Sequence, residues 1–279
     1  MRYPILHQYL AGLVQRADAS SSLWLDSSGR AQGRFFNCMM TSVFQPVRSL
    51  DSGSLLACEG LARGVSAEDE GLSLWRLLEH AASDDESVAL DRLCRMLHAI
   101  NFFRQAESAH ADLHLNVHGR LLSAVSTNHG HAFRRILDAL ELPLARVVLQ
   151  LPATVPQQTW LLGYVADNYR RNGFRFAVNV ATADEGLALV ARVRPDIVRI
   201  DARGAGNGQD GAALVRLINA ASDAGGKVLF HHAERPETLT ALHAVADGAA
   251  AVPLVQGYAL DQPRAVLPPL GQAAARIAA

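Results

Sequence analysis

The sequence is short of several features, and each shortage excludes a class of protein. Only three of its 279 residues are cysteines, Cys38, Cys58 and Cys94. They are scattered, odd in number and form no Cys-x-x-Cys pair, which excludes a disulfide scaffold and a cysteine zinc knuckle. That usage fits a reducing, cytoplasmic setting. An excess of one charge is also missing, since 26 Lys and Arg stand against 27 Asp and Glu, a net charge of −1. Nucleic-acid binding needs a basic surface that displaces counterions, so nucleic acid is excluded as a general partner. No apolar run approaches the roughly 20 residues that cross a bilayer, so no membrane partner is expected. His7 and Gln8 interrupt the early apolar stretch, so no signal peptide is expected either. Charged residues are only 19%, while hydrophobic residues reach 49%, enough for a full core and against disorder.

The dominant pattern is alternation. Tyr3 to Arg16 predicts an amphipathic helix with Ile5, Leu6, Tyr9, Leu10, Leu13 and Val14 on one face. A small hairpin is expected around Leu23-Trp24-Leu25, turning at Asp26-Ser27-Ser28-Gly29. Residues 1–40 are read as an N-terminal extension and 41–279 as the main domain. Strand-like runs follow at Ser42–Val47, Leu55–Cys58, Leu113–Val117, Val147–Leu151, Phe174–Val178, Ile197–Ile200, Val228–Phe230 and Ala251–Val255. Helical stretches separate most of them: Leu72–His80, Ser87–Ala106, His131–Leu140, Gln157–Arg171, Glu185–Arg192, Ala212–Ala224 and Pro236–Ala246. Strand–helix alternation points to an α/β protein with a mainly parallel sheet. About eight strands favour a closed (β/α)8 barrel, whose chemistry sits at the C-terminal strand ends.

Residues at those strand ends form an ordered series: Phe44-Gln45-Pro46-Val47, Asp51-Ser52-Gly53, Glu59-Gly60-Leu61-Ala62-Arg63, Leu115-Asn116-Val117, Arg199-Ile200-Asp201, and Gln256-Gly257-Tyr258 followed by Pro263. Over about residues 41–265 the series resembles the EAL domain family, the bacterial cyclic-di-GMP phosphodiesterases. The resemblance implies a TIM-like barrel of the EAL type, with the first strand antiparallel to the rest. It also implies two divalent metals, Mg²⁺ or Mn²⁺, held by carboxylates and an Asn, which activate water for attack on a phosphodiester. Ligand-binding positions carried over are Gln45, Glu59, Leu61, Arg63, Asn116 and Gln256.

The family's metal ligands are mostly missing here. Glu59 and Asn116 stand at the signature Glu and Asn, but Gln150 takes the place of a Glu. Asn179 and Val180 take the place of the Asp pair, in a loop one residue shorter. Arg199 stands for a Lys, and His231 for a further metal-binding Glu, while Glu234 matches a second Glu that is no ligand. Two divalent ions about 3.5–4 Å apart need several anionic ligands between them. Of the motif's carboxylates only Glu59 remains, so no metal cofactor and no intact catalytic set are expected, and Glu59 and Asn116 are remnants. The resulting expectation is a degenerate, non-catalytic EAL-domain regulator that acts through an unidentified protein partner. Two alternatives stay open: a receptor that binds cyclic-di-GMP without hydrolysis, and a residual cyclic-di-GMP-specific phosphodiesterase with Mg²⁺ or Mn²⁺. Homodimer formation is also open.

Competing motifs have plainer explanations. Gly206-x-Gly208-x-x-Gly211 matches a dinucleotide fingerprint, but Asp201-Ala202-Arg203 separates it from its strand, and a barrel loop accounts for it. His114, Asn116 and His118 alternate on one strand face, and Glu59, Asn116 and His231 could form a single zinc-like set. Hydrogen-bonded core or rim histidines are the commoner case. Glu68-Asp69-Glu70 and Asp84-Asp85-Glu86 read as a solvated loop and as helix N-terminal charge. Trp75 and Trp160 read as helix packing residues.

Overall fold

The computed structural model describes residues 2–15, 22–36, 38–65, 83–119, 130–153, 159–205 and 210–269. The expected Leu72–His80 helix, Trp75, the Glu68-Asp69-Glu70 run, and Gly206 and Gly208 lie outside these residues. Within them the alternating segments form strands β1 (Leu23–Leu25), β2 (Ala31–Phe35), β3 (Cys38–Ser49), β4 (Leu55–Gly64), β5 (Asp112–Asn116), β6 (Val147–Leu151), β7 (Arg175–Val180), β8 (Ile197–Asp201), β9 (Lys227–His231) and β10 (Leu254–Val255). Strand order is β1-β2-β3-β10-β9-β8-β7-β6-β5-β4, and β3 also pairs with β4. That last pairing closes β3 to β10 into an eight-stranded barrel. As expected, β3 runs antiparallel to both neighbours, β4 and β10, while every other barrel pair is parallel.

The helices among the described residues are α1 (Pro4–Gln15), α2 (Asp84–Phe103), α3 (His131–Ala139), α4 (Thr159–Arg171), α5 (Ala183–Val193), α6 (Gly211–Asp223) and α7 (Pro236–Ala246). Their starts follow local chemistry. Ser83 caps α2 in a reciprocal capping box with Glu86, so this helix begins three residues earlier than Ser87. Thr182 caps α5 and Asp210 caps α6. Pro236 opens α7, where its missing N–H costs nothing.

Two apolar layers result from the strand period of two. Inside the barrel, Val47, Ala57, Val148, Ala177, Ile197, Leu229 and Leu254 form one cluster. Outside it, the opposite strand faces and the helices share a larger cluster that includes Leu115, Leu149, Phe176, Ile200 and Phe230. Trp160 does not join it. The inner face of α4 is filled by Leu162, Val165, Ala166 and Tyr169, which leaves Trp160 outward and 68% exposed, contrary to the packing role expected for it.

The expected hairpin is β1–β2, antiparallel with Leu25 opposite Ala31, and β2 pairs onward with β3, so the ribbon continues the barrel sheet. The Asp26 carboxylate holds its turn by accepting from Ser28 N–H, Arg30 N–H and the Arg30 guanidinium. Helix α1 buries a narrower stripe than expected. Leu6 and Leu10 are buried and Leu13 is partly so, while Tyr9 and Val14 face outward. Tyr3 anchors its start, edge-on to Phe103, with its hydroxyl accepting from Arg146.

The C-terminal closure is fixed by a buried ion pair. Arg48 on β3 donates to both oxygens of Asp261, at 2.6 and 3.2 Å, and to the Gly53 carbonyl. Asp261 also draws Arg264, and its carbonyl accepts from Gln45. Removing one partner of a buried pair strands the other charge, which costs about 3–5 kcal/mol. Arg48→Met is therefore expected to lower unfolding free energy by about that amount in urea titration, with part recovered by adding Asp261→Asn. A loss within about 0.5 kcal/mol would show the pair to be marginal.

Candidate functional site

Two residues beyond the inner apolar layer, each barrel strand places one polar side chain at the same level, because the strand period returns it to the inner face. These residues are Gln45 on β3, Glu59 on β4, Asn116 on β5, Gln150 on β6, Asn179 on β7, Arg199 on β8, His231 on β9 and Gln256 just after β10. Register sets three of them side by side, Gln45 with Glu59, Asn116 with Gln150 and Asn179 with Arg199, and offsets the intervening pairs by two residues, as the tilt of barrel strands requires. These eight sequence-derived positions therefore converge at one mouth. Five amides, one imidazole, one carboxylate and one guanidinium make up the ring.

Hydrogen bonds within the ring centre on Glu59. Its Oε1 accepts from Asn116 Nδ2 at 2.6 Å. Its Oε2 accepts from Gln256 Nε2 at 2.9 Å and from Arg199 Nη2 at 3.2 Å. The other arm of the guanidinium donates to Gln150 Oε1. Both members of the Glu59–Arg199 pair are buried, each side chain 8% exposed. Burial alone would raise the Glu59 carboxyl, but the Arg199 charge and the bonds from Asn116 and Gln256 outweigh it and hold the group below its ordinary value. Glu59 is thus ionised and its oxygens are occupied. Asn179 turns away and donates to the Leu151 carbonyl at 2.6 Å.

Two imidazoles adjoin the pair, and both are kept neutral. His114, beneath Asn116 on β5, is pushed down to about 3 by burial and by Arg199. His231 is pushed down to about 3 by burial, Arg199 and His232. Above the ring lies a cleft of about 300 Å³ lined by Gln45, Glu59, Leu61, Arg199, His231, His232, Glu234, Gln256, Gly257 and Tyr258. A Cβ at Gly257 would fall 2.0 Å from the Ala233 carbonyl oxygen, so only glycine fits beside that strand end.

Not every sequence-derived position arrives at the cleft. Arg63 shares the strand face of Glu59 and Leu61 but lies beyond the barrel rim, exposed, and donates to the Ala62 carbonyl. Val180 follows Asn179 on β7 and so points outward into the large apolar cluster. His118 falls past the end of β5, off the strand face expected for it, and its backbone N–H donates to Asp91. Among the described residues no group of three or more His, Cys, Asp or Glu side chains is placed to hold a metal. The ring's unpartnered buried groups fit a cation no better. Gln150 Nε2 and Arg199 Nε are N–H donors, which cannot ligate a cation. The donor set therefore does not fit the metal pair that the family resemblance implies.

One residue near the site belongs to none of the strand-end motifs. His98 on α2 is buried behind β4 and bonds Ser42 Oγ through Nδ1 at 2.8 Å. A Cβ at Gly60 would lie 2.8 Å from His98 Cγ. The glycine between Glu59 and Leu61, where the family motif has Ala, was the available signal, because it makes room for this ring.

The comparisons with known proteins agree with this architecture. The family model of the EAL domain matches residues 30–263. The chain belongs to the EAL domain family. Similar solved structures include a standalone versatile EAL protein from Vibrio cholerae O395 in its cyclic-di-GMP-bound form, with 19% identity and a TM-score of 0.64 over 85% of this chain and 97% of that one. Klebsiella pneumoniae BlrP1, in a manganese and cyclic-di-GMP complex at pH 6, has 19% identity and a TM-score of 0.67 over 81% of this chain and 56% of that one. Bacillus subtilis YkuI, in complex with cyclic-di-GMP and calcium, has 18% identity and a TM-score of 0.65 over 83% and 57%. This chain thus spans a little over half of the latter two, and at these identities the likeness establishes the fold. No curated protein matches the sequence.

The buried histidines make stability depend on pH. His98 and His114 titrate at about 3 in the fold and near 6.5 when unfolded. Between those values the unfolded chain binds more protons, so stability falls as pH falls. Glu59, held low, acts in the same direction at lower pH. Melting and urea unfolding are expected to show each buried histidine costing about 2 kcal/mol between pH 6.5 and 5. His98→Gln should flatten that slope, and a pH-independent stability over this range would contradict the neutral burial of both rings.

Proposed function

We propose that this EAL-domain protein serves cyclic-di-GMP signalling without hydrolysing the dinucleotide, as a regulator that works through a protein partner. The observation that carries this reading is the state of Glu59. The one carboxylate kept from the family's metal set is bonded by Asn116, Gln256 and Arg199. Hydrolysis by the two-metal route needs carboxylates between the metals and an activated water. Here Gln150, Asn179 and His231 stand at ligand positions without negative charge. No divalent cofactor is needed by such a protein. The three free cysteines and the near-zero net charge suit a cytoplasmic regulator that engages neither nucleic acid nor membrane. Among the described residues no helix is long and apolar enough to cross a membrane. A barrel with an intact core and an inert mouth still offers rigid outer surfaces to a partner, a second copy of the chain included. The expected result with Mg²⁺ or Mn²⁺ is no linear dinucleotide at multiple turnovers. Product that appears with the wild type and disappears in Glu59→Ala would overturn the reading.

A second reading, a cyclic-di-GMP receptor without hydrolysis, is favoured by one observation. Gln45, Glu59, Leu61 and Gln256 line the same cleft. In that case binding survives chelator. Arg63 then swings from the Ala62 carbonyl to a phosphate, a charge-assisted bond worth roughly 1.5–3 kcal/mol. Calorimetry should find Arg63→Ala binding about 10- to 150-fold weaker. Unchanged affinity, or binding that chelator abolishes, would count against it.

A further inference from the structure

We propose that Arg199 is the resident cation of this barrel, a side chain that neutralises Glu59 permanently and closes the mouth to divalent metal. This rests on the non-hydrolytic reading above and gives it a cause in one residue. Three features of the ring lead to it. The first is charge balance. Glu59 and Arg199 are the ring's only carboxylate and guanidinium, they form an ion pair, and the remaining members are five amides and one imidazole. A divalent ion added to that set would bring uncompensated positive charge into a buried site.

The second feature is anchorage. One arm of the guanidinium reaches Glu59 on β4 and the other reaches Gln150 on β6, so the fork is held from two strands. Guanidinium stays protonated at any working pH and spreads its donors in one plane. The lysine that the family carries at this position has a single, movable point charge and could not make both bonds from a delocalised fork. The third feature is that the ring's own unused buried groups, Gln150 Nε2 and Arg199 Nε, are both donors, while the unpartnered His114 Nδ1 lies one layer below the ring. Any ion that approached Glu59 would meet the positive guanidinium already bonded to its carboxylate.

Removing the guanidinium reverses the situation. Glu59 would then be buried without a counter-charge, with two amides beside it, Asn116 and Gln256, whose oxygens can turn inward as neutral ligands to a cation that supplies one. Hard cations accept such oxygen ligands. Arg199→Ala is therefore expected to expose a latent cation site that the wild type hides.

The test uses the full chain, Mn²⁺ alone as the probe, and no nucleotide. Electron paramagnetic resonance counts free Mn²⁺, and melting is followed with and without millimolar Mn²⁺. Wild type should neither bind Mn²⁺ nor change its Tm. Arg199→Ala should melt lower and regain about 5 °C with Mn²⁺, and the response should vanish in Arg199→Ala/Glu59→Gln. Wild type that binds Mn²⁺ through Glu59 overturns the proposal even if the single variant fails to fold. So does a folded Arg199→Ala that shows no response, or one whose response survives Glu59→Gln. Failure here is separable from failure of the non-hydrolytic reading, because that reading falls only on dinucleotide turnover.

Discussion

A carboxylate buried inside a barrel must have a counter-charge, and most of the mouth follows from how Glu59 obtains one. An isolated buried carboxylate is so costly that it would take up a proton instead. Glu59 stays ionised because Arg199 lies 3.2 Å away and two amides bond it from either side. The pair joins β4 to β8 across the barrel, and Gln150 brings in β6. The same guanidinium helps keep His114 and His231 neutral, since a further positive charge beside it is unfavourable. One ion pair therefore sets the protonation of its neighbours and the electroneutrality of the ring.

The packing beneath and around the ring serves that arrangement. An apolar layer seals the barrel interior below it. The Arg48–Asp261 pair fixes the closing segment that carries Gln256 and Tyr258 over the cleft. Gly257 permits the close approach to Ala233, and Gly60 admits the His98 ring behind β4. Both polar contacts and backbone approaches thus converge on holding Glu59 and Gln256 at a fixed distance.

Much of this was legible in the sequence, for identifiable reasons. Parallel barrel strands are buried on both faces, so their short apolar runs at Val147–Leu151 and Ile197–Ile200 stand out and match the observed strands closely. Strand β4 reads short because Glu59 and Gly60 break the apolar run, yet pairing with β3 carries it on to Gly64. The ring residues were legible through motif order, since family motifs mark strand ends. What lay hidden depends on contacts between distant segments. Nothing near Arg199 in sequence shows that it reaches both Glu59 and Gln150, 140 and 49 residues away. The exposure of Trp160 is not legible in sequence, because aromatic content alone does not say which helix face meets the core, and α4 fills its inner face with Leu162, Val165 and Tyr169. Val180 and Asn179 are neighbours in sequence but face opposite layers, a distinction that motif matching does not make.

The most direct measurement is a crystal structure of the wild-type protein soaked in Mn²⁺, with anomalous data collected for manganese. The expected result is a guanidinium within hydrogen-bond distance of Glu59 and no anomalous peak at the ring. A manganese peak ligated by Glu59 and Asn116, with Arg199 turned out of the mouth, would contradict the account.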